Sequence, residues 1–226
     1  MRCVGAVLGI LALVTVAVGA VPANATSMTV LLTGNWIAVT DNASVTNGSI
    51  TNGGAFTVTL NYDNAAADSN PDPSVGDYLL PGATNSLTLT TGSYTFSLLA
   101  AEDIGFSVGN SYFGQDDFVW FAEHFTTSGP LPLGVSTGYG YMNPLVYDTT
   151  ETAHSSDALT GLPWSVGAYD SPNNGMYFLI AVSGRGANKY IELSGNFTNF
   201  SVLPEPSLLA LVGIASAALL SLLRRG

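Results

Sequence analysis

Basic side chains are nearly absent from this chain: five Lys and Arg stand against sixteen Asp and Glu in 226 residues. Three of the five, Arg2, Arg224 and Arg225, lie at the ends, so residues 26–203 hold only Arg185 and Lys189 against fifteen acids. Nucleic-acid phosphates are neutralised by the opposite sign of charge, and a nucleic-acid partner is excluded. Charge of either sign is scarce, at 9% of residues, against roughly 25% in an average soluble chain. The single cysteine, Cys3, rules out a disulfide scaffold, a cysteine-based zinc site and a cysteine nucleophile in the body of the protein. Histidine is limited to His124 and His154, without the spacing of a zinc-binding helix. No interior segment carries a 3.6-residue apolar period and no unit repeats, which leaves helical bundles, solenoids and propellers without support.

What is present begins at the ends. Arg2 precedes an apolar run from Val4 to Val18, followed by Gly19-Ala20-Val21-Pro22-Ala23-Asn24-Ala25. A basic start, an apolar centre and small residues at Ala23 and Ala25 fit a secretory signal peptide over 1–25, because signal peptidase accepts only small side chains at those positions. Cleavage after Ala25 removes Cys3 and leaves Thr26 as the N-terminus; a retained N-terminal anchor is the other reading. At the far end, Pro204-Glu205-Pro206 precedes seventeen uncharged residues, Ser207 to Leu223, and then Arg224-Arg225-Gly226. A transmembrane helix over 207–223 is about 25 Å long, enough to cross a thin hydrocarbon layer. The two arginines favour a cytoplasmic C-terminus. Pro204 keeps Leu203 extended, in the form a processing enzyme binds.

The Pro204-Glu205-Pro206 motif, the short apolar helix and the pair Arg224-Arg225, in that order, resemble the PEP-CTERM sorting domain of Gram-negative bacteria over residues 204–226. The resemblance implies recognition by an exosortase, a membrane transpeptidase-like enzyme, and removal of the tail near the Pro-Glu-Pro motif. It further implies transient residence in the inner membrane and a final place at the cell surface or in a biofilm or exopolysaccharide matrix. An ordinary tail anchor has the same composition.

Between the ends, residues 26–203 read as one all-β domain. Phe56-Thr57-Val58-Thr59-Leu60-Asn61-Tyr62 alternates apolar and polar residues, as do Ser86–Thr90 and Tyr94–Leu98, the mark of strands with one face in a core. Further strands are expected at Met28–Val39, Ile104–Val108, Asp117–Phe125, Met176–Val182 and Lys189–Phe197. The continuous apolar run Met176–Val182 suggests a strand covered on both sides. Asn47-Gly48, Asn52-Gly53-Gly54, Thr91-Gly92-Ser93 and Asn174-Gly175 supply turn residues. Short strands at this spacing point to an antiparallel β-sandwich or jelly roll, flanked by the signal helix and the transmembrane helix. Ser128–Pro163, with Pro-Leu-Pro and repeated Gly-Tyr, reads as long loops across one end. Phe56–Asp63 with Asp68-Ser69-Asn70-Pro71-Asp72 and Gly76-Asp77-Tyr78 also resembles the start of a domain of no assigned activity that accompanies PEP-CTERM signals; this implies a shared fold only.

Three candidate sites emerge. Asp63, Asp68, Asn70, Asp72 and Asp77 cluster oxygen ligands of the kind calcium takes; the alternative is an acidic turn bonded to its own backbone. Tyr139, Tyr141 and Trp164 offer aromatic faces on which sugar rings stack, while Trp120 suits the core. For hydrolysis, Glu102, Asp103, Asp116, Asp117 and Glu123 would have to converge in pairs. The expectation is a non-enzymatic surface or matrix protein with a structural or interaction role. Its partners in export are signal peptidase and an exosortase, with extracellular polysaccharide and calcium as candidate ligands. A carbohydrate- or calcium-dependent binding module, and more remotely a secreted hydrolase, are the alternatives.

Overall fold

The alternation seen in the sequence becomes the pleat of the sheet. In β2 (Ala55–Asp63) Phe56, Val58, Leu60 and Tyr62 are buried while the residues between them are half-exposed. β4 (Ser86–Thr91) and β5 (Tyr94–Leu98) follow the same rule. They are joined by a tight hairpin whose first loop residue, Gly92, takes φ +56°. Burying one such Phe, Val or Leu side chain is worth about 1.5–3 kcal/mol, so the pattern itself fixes which face turns inward.

The computed structural model describes residues 27–203 apart from 134–135, 160–161, 171–173 and 185–187. The expected signal helix at 1–25 and sorting segment at 204–226 lie outside the described residues. Besides the strands named, the chain forms β1 (Ser27–Asp41), β3 (Val75–Leu80), β6 (Ile104–Tyr112), β7 (Gln115–Glu123) and β8 (Phe125–Ser128). β9 (Ser136–Asp148), β10 (Gly175–Ser183) and β11 (Tyr190–Leu203) complete the set. Among the described residues there is no α-helix, and no helix long and apolar enough to cross a membrane.

All strand pairs are antiparallel, in the order β3-β6-β7-β9-β10-β11-β1-β2-β4-β5-β8. The sheet curls so that its two halves face each other. Phe178 of β10 lies 4.9 Å from Phe96 of β5 and 5.4 Å from Phe125 of β8, ring centre to ring centre. Tyr62 of β2 stacks on Phe106 of β6 at 6.2 Å. At the other end of this core Trp36 and Phe56 lie 4.2 Å apart, and the Trp36 indole donates to Thr91 Oγ1 at 2.8 Å. A Cβ at Gly195 would come within 2.5 Å of the Phe56 ring and 2.8 Å of Trp36, so only glycine lets β11 pass there.

Several expectations are corrected. The 128–163 stretch is not all loop: it contains β9, thirteen residues long and central in the sheet. β10 is not covered on both sides. Its burial alternates, and Tyr177 and Leu179 face outward. The strand expected at Asp117–Phe125 breaks at His124, which takes φ +60°. The turn lets β7 end beside β9 while β8 crosses to pair with β5. The His124 N–H donates to Gly140 O of β9 at 2.8 Å, bringing the end of the strand order back against its middle. Asn47 and Gly48 adopt the left-handed region as expected, at φ +49° and +75°. Gly175 does not, and sits within β10 where a Cβ would collide with Gly195 O.

Candidate functional site on the outer sheet face

Because side chains alternate along a strand, burying Met142 and Val146 of β9 turns Tyr139, Tyr141, Asn143 and Leu145 outward. The neighbouring strands add Val119, Phe121 and Glu123 from β7 and Tyr177 and Leu179 from β10. The register places Glu123 and Leu179 on either side of Tyr141, and Tyr177 beside Asn143. The rings form a stripe across three strands, with Phe121–Tyr141 centres 6.0 Å apart and Tyr141–Tyr177 centres 5.4 Å apart. Successive rings are inclined by 33° and 32°.

Carboxylates fix Tyr177, at one end of this stripe, and Tyr139, which lies on the same face outside it. Tyr177 Oη donates to Glu192 Oε1 at 2.7 Å, and Tyr139 Oη donates to Glu123 Oε1 at 2.6 Å. Burial and the Glu192 bond hold the Tyr177 hydroxyl well above the usual phenol range. The Glu123 bond raises that of Tyr139. Both phenols therefore stay neutral, with oxygen lone pairs left to accept further hydrogen bonds.

Beside the stripe runs an open furrow. Its first part, about 540 Å³, has Gly105 and Ser107 of β6 as floor and Leu79, Asp77 and Phe121 among its walls. Asn143 lines this part and also a second, of about 290 Å³, that continues past Leu145, Tyr177 and Ser194 to Ile37 of β1. Leu79 and Ile37, toward its two ends, are exposed by 64% and 60%.

Of the three residues expected to bind sugar, Tyr139 and Tyr141 belong to this face. Trp164 lies elsewhere, packed edge-on against Tyr62, Phe106 and Phe118 and donating its indole N–H to Tyr62 Oη at 3.2 Å. Trp120 is fully buried, as expected.

The acidic loop is organised by its own backbone. Asp63 accepts from Ala65 N–H, Asp68 from Asn70 N–H, Asn70 from Asp72 N–H and Asp72 from Ser74 N–H, a run of Asx turns. The loop also covers an edge. β3 is the outermost strand, and the backbone groups of Asp77 turn away from β6 toward the loop. There the N–H donates to Asp68 Oδ1 at 2.9 Å and the C=O accepts from Ser69 N–H at 2.9 Å. Asn70 Nδ2 completes the clasp on Asp77 Oδ2 at 2.7 Å. Among the described residues no three His, Cys, Asp or Glu side chains are gathered as metal ligands.

The remaining candidates separate. Asp116 is fully buried and accepts from Ser111 N–H at 2.8 Å and His154 N–H at 2.7 Å. His154 Nδ1 meets Gly109 O at 2.8 Å; a carbonyl only accepts, so Nδ1 carries the proton and Nε2 is left for the Tyr169 hydroxyl at 3.0 Å. Asp117 points to the other face of β7, where burial raises its carboxyl above the usual range. Glu102 Oε2 lies 3.3 Å from His124 Nδ1, both half-exposed at the surface. His124 and Ser136 line a shallow pocket of about 490 Å³. Gly134-Val135-Ser136-Thr137-Gly138 reads Gly-x-Ser-x-Gly, yet Ser136 opens strand β9 and pairs with Ser183, whereas a nucleophile elbow is a strand-to-helix turn. No family model, curated protein or solved structure matches the chain. The likeness of residues 204–226 to a sorting domain therefore rests on those residues alone.

The furrow is what sequence reasoning missed. Tyr139-x-Tyr141-x-Asn143-x-Leu145 has period two, but Gly138, Gly140 and Pro144 argue against a central strand. The β7–β9 ladder does skip at Pro144, passing from Val119↔Leu145 to Ala122↔Met142.

Proposed function

We propose that this chain is an exported protein of the bacterial surface or polysaccharide matrix, trimmed at both ends, whose all-β domain has an interaction role. The observation that carries the reading is the ordered C-terminal set of Pro204-Glu205-Pro206, uncharged 207–223 and Arg224-Arg225, opposite a signal-like N-terminus ending at Ala23 and Ala25. The domain between them agrees with it. It is strongly acidic, which favours solubility, and its outer face carries the ring stripe of Phe121, Tyr141 and Tyr177. The export partners are signal peptidase and an exosortase. Replacing Pro204, Glu205 and Pro206 together by alanine is expected to leave the chain untrimmed in the inner membrane, while the unaltered protein reaches the surface or the medium. Equal distribution of the two in fractionated cells would refute the reading.

A further inference from the structure

The geometry points to a binding site for a strand of neutral polysaccharide, laid across β6, β7, β9 and β10 in the outer furrow. This deepens the proposed interaction role, on which it rests, by naming the ligand class and the residues.

Shape is the first argument. The furrow consists of two open hollows that share Asn143, one reaching Leu79 of β3 and the other Ile37 of β1, so that together they span the sheet from β3 to β1. A compact small molecule is held in a pocket that encloses most of its surface; an open trough crossing several strands suits a polymer. Chemistry is the second. A sugar ring presents apolar C–H faces and a rim of hydroxyls. Phe121 and Tyr177 line the furrow and offer ring surface to the first, with the Tyr141 ring beside both of them at its border, while Ser107, Asn143 and Ser194 offer neutral donors and acceptors to the second. Asp77 adds a carboxylate that accepts from hydroxyls.

Charge selects among polymers. Among the described residues no Lys, Arg or His lines either part of the furrow. The one Lys of the described residues, Lys189, donates to Asn42 O at 2.8 Å. An anionic polymer therefore meets like charge and no counter-ion. A peptide strand is disfavoured for a different reason. It binds sheets by pairing with an unpaired edge, whereas β6, β7, β9 and β10 are interior strands with a neighbour on each side, and the outward backbone groups of Asp77 on the edge strand β3 are taken by Asp68 and Ser69.

Gly105 provides a test that leaves the core untouched. A Cβ there meets nothing closer than Phe121 O, at 3.8 Å. Gly105→Leu thus fills the floor of the furrow without a backbone collision. The full chain, purified in an amine-oxide detergent that contains no sugar, is run through native gels containing soluble glucan, xylan or galactomannan, and through gels containing alginate. Retardation by at least one neutral polymer is expected, weakened about tenfold or more in Gly105→Leu and likewise in Tyr141→Ala. Leu133→Ala, exposed and away from the furrow, is expected to migrate like the unaltered protein. Unchanged thermal melting of Gly105→Leu separates blocked binding from lost fold. The proposal is overturned if no neutral polymer retards the chain, if alginate alone does, or if both variants are retarded normally. It is also overturned if sedimentation shows a self-association that Gly105→Leu abolishes, for then a second copy occupies the face. None of these outcomes bears on export, which is decided by where the chain is found and how its ends are cut.

Discussion

Asp148 closes β9 with a carboxylate that is 1% exposed and receives five hydrogen bonds. Thr150 contributes its N–H at 3.0 Å and its hydroxyl at 2.7 Å, Thr152 its N–H at 2.9 Å and its hydroxyl at 3.2 Å, and Ala153 its N–H at 3.0 Å. Burial alone would raise this carboxyl, but the bonds from Thr150 and Thr152 outweigh it and hold the group far below the usual carboxylate range. In Asp148→Asn one acceptor oxygen becomes an NH₂ that faces donors. Each hydrogen bond to a charged group is worth about 1.5–3 kcal/mol net, but Thr150 and Thr152 are exposed and their groups can turn to water. A total loss of about 3 kcal/mol at pH 7 follows, read as a shift in urea midpoint by tryptophan fluorescence. The sign with pH is fixed. A depressed carboxyl adds stability that is complete above its unfolded value, about 3.9, and is lost as pH falls through the lower folded value. The gap between the two proteins should hold down to about pH 4 and narrow below it. A gap under about 0.5 kcal/mol at pH 7, or one independent of pH, would refute the argument.

Other perturbations test other parts of the architecture. Asp68→Ala bares the Asp77 N–H on the free edge of β3; it should cost about 1 kcal/mol and speed aggregation, read by light scattering at fixed protein concentration. A variant that scatters like the unaltered protein would remove the edge-covering role of the acidic loop. Gly195→Ala drives a methyl group into Phe56 and Trp36 and should destabilise by about 1–3 kcal/mol; neutral behaviour in chemical denaturation would contradict the tight passage of β11. The Thr127 hydroxyl is buried without a partner among the described residues. Thr127→Val, which keeps the shape, should therefore raise the melting temperature, by about 1 kcal/mol in stability; a lower melting temperature would count against that.

How much of this was legible depends on how far each feature reaches along the chain. Strands such as β2, β4 and β5 were visible because one face of each meets the core along its whole length, so the period of two survives intact. β9 was hidden by residues chosen for tertiary reasons. A Cβ at Gly140 would stand 2.8 Å from Leu179 O and 2.9 Å from Ile180, and Pro144 sits where the ladder to β7 skips. Local propensity rules penalise both, and packing between two neighbouring strands overrules them. The acidic loop was legible as far as its self-bonded alternative. Its second task, covering β3, needed the knowledge that β3 lies at the edge. Tyr139 and Tyr141 could be named as a pair, but joining them to Phe121, Tyr177 and Gly105 requires the register of four strands, which no local pattern contains. Trp164 was grouped with them in error for the same reason: the side chains it covers come from β2, β6 and β7.

The proposed ligand and the proposed export route meet in one requirement, that the folded domain be delivered outside the cell and released from its tail. Intact-mass analysis of the protein recovered from its own host tests this most directly. The account predicts a chain that begins at Thr26, ends near Pro204-Glu205-Pro206 and is found outside the cytoplasm. A polypeptide running from Met1 to Gly226 in the cytosol would contradict it.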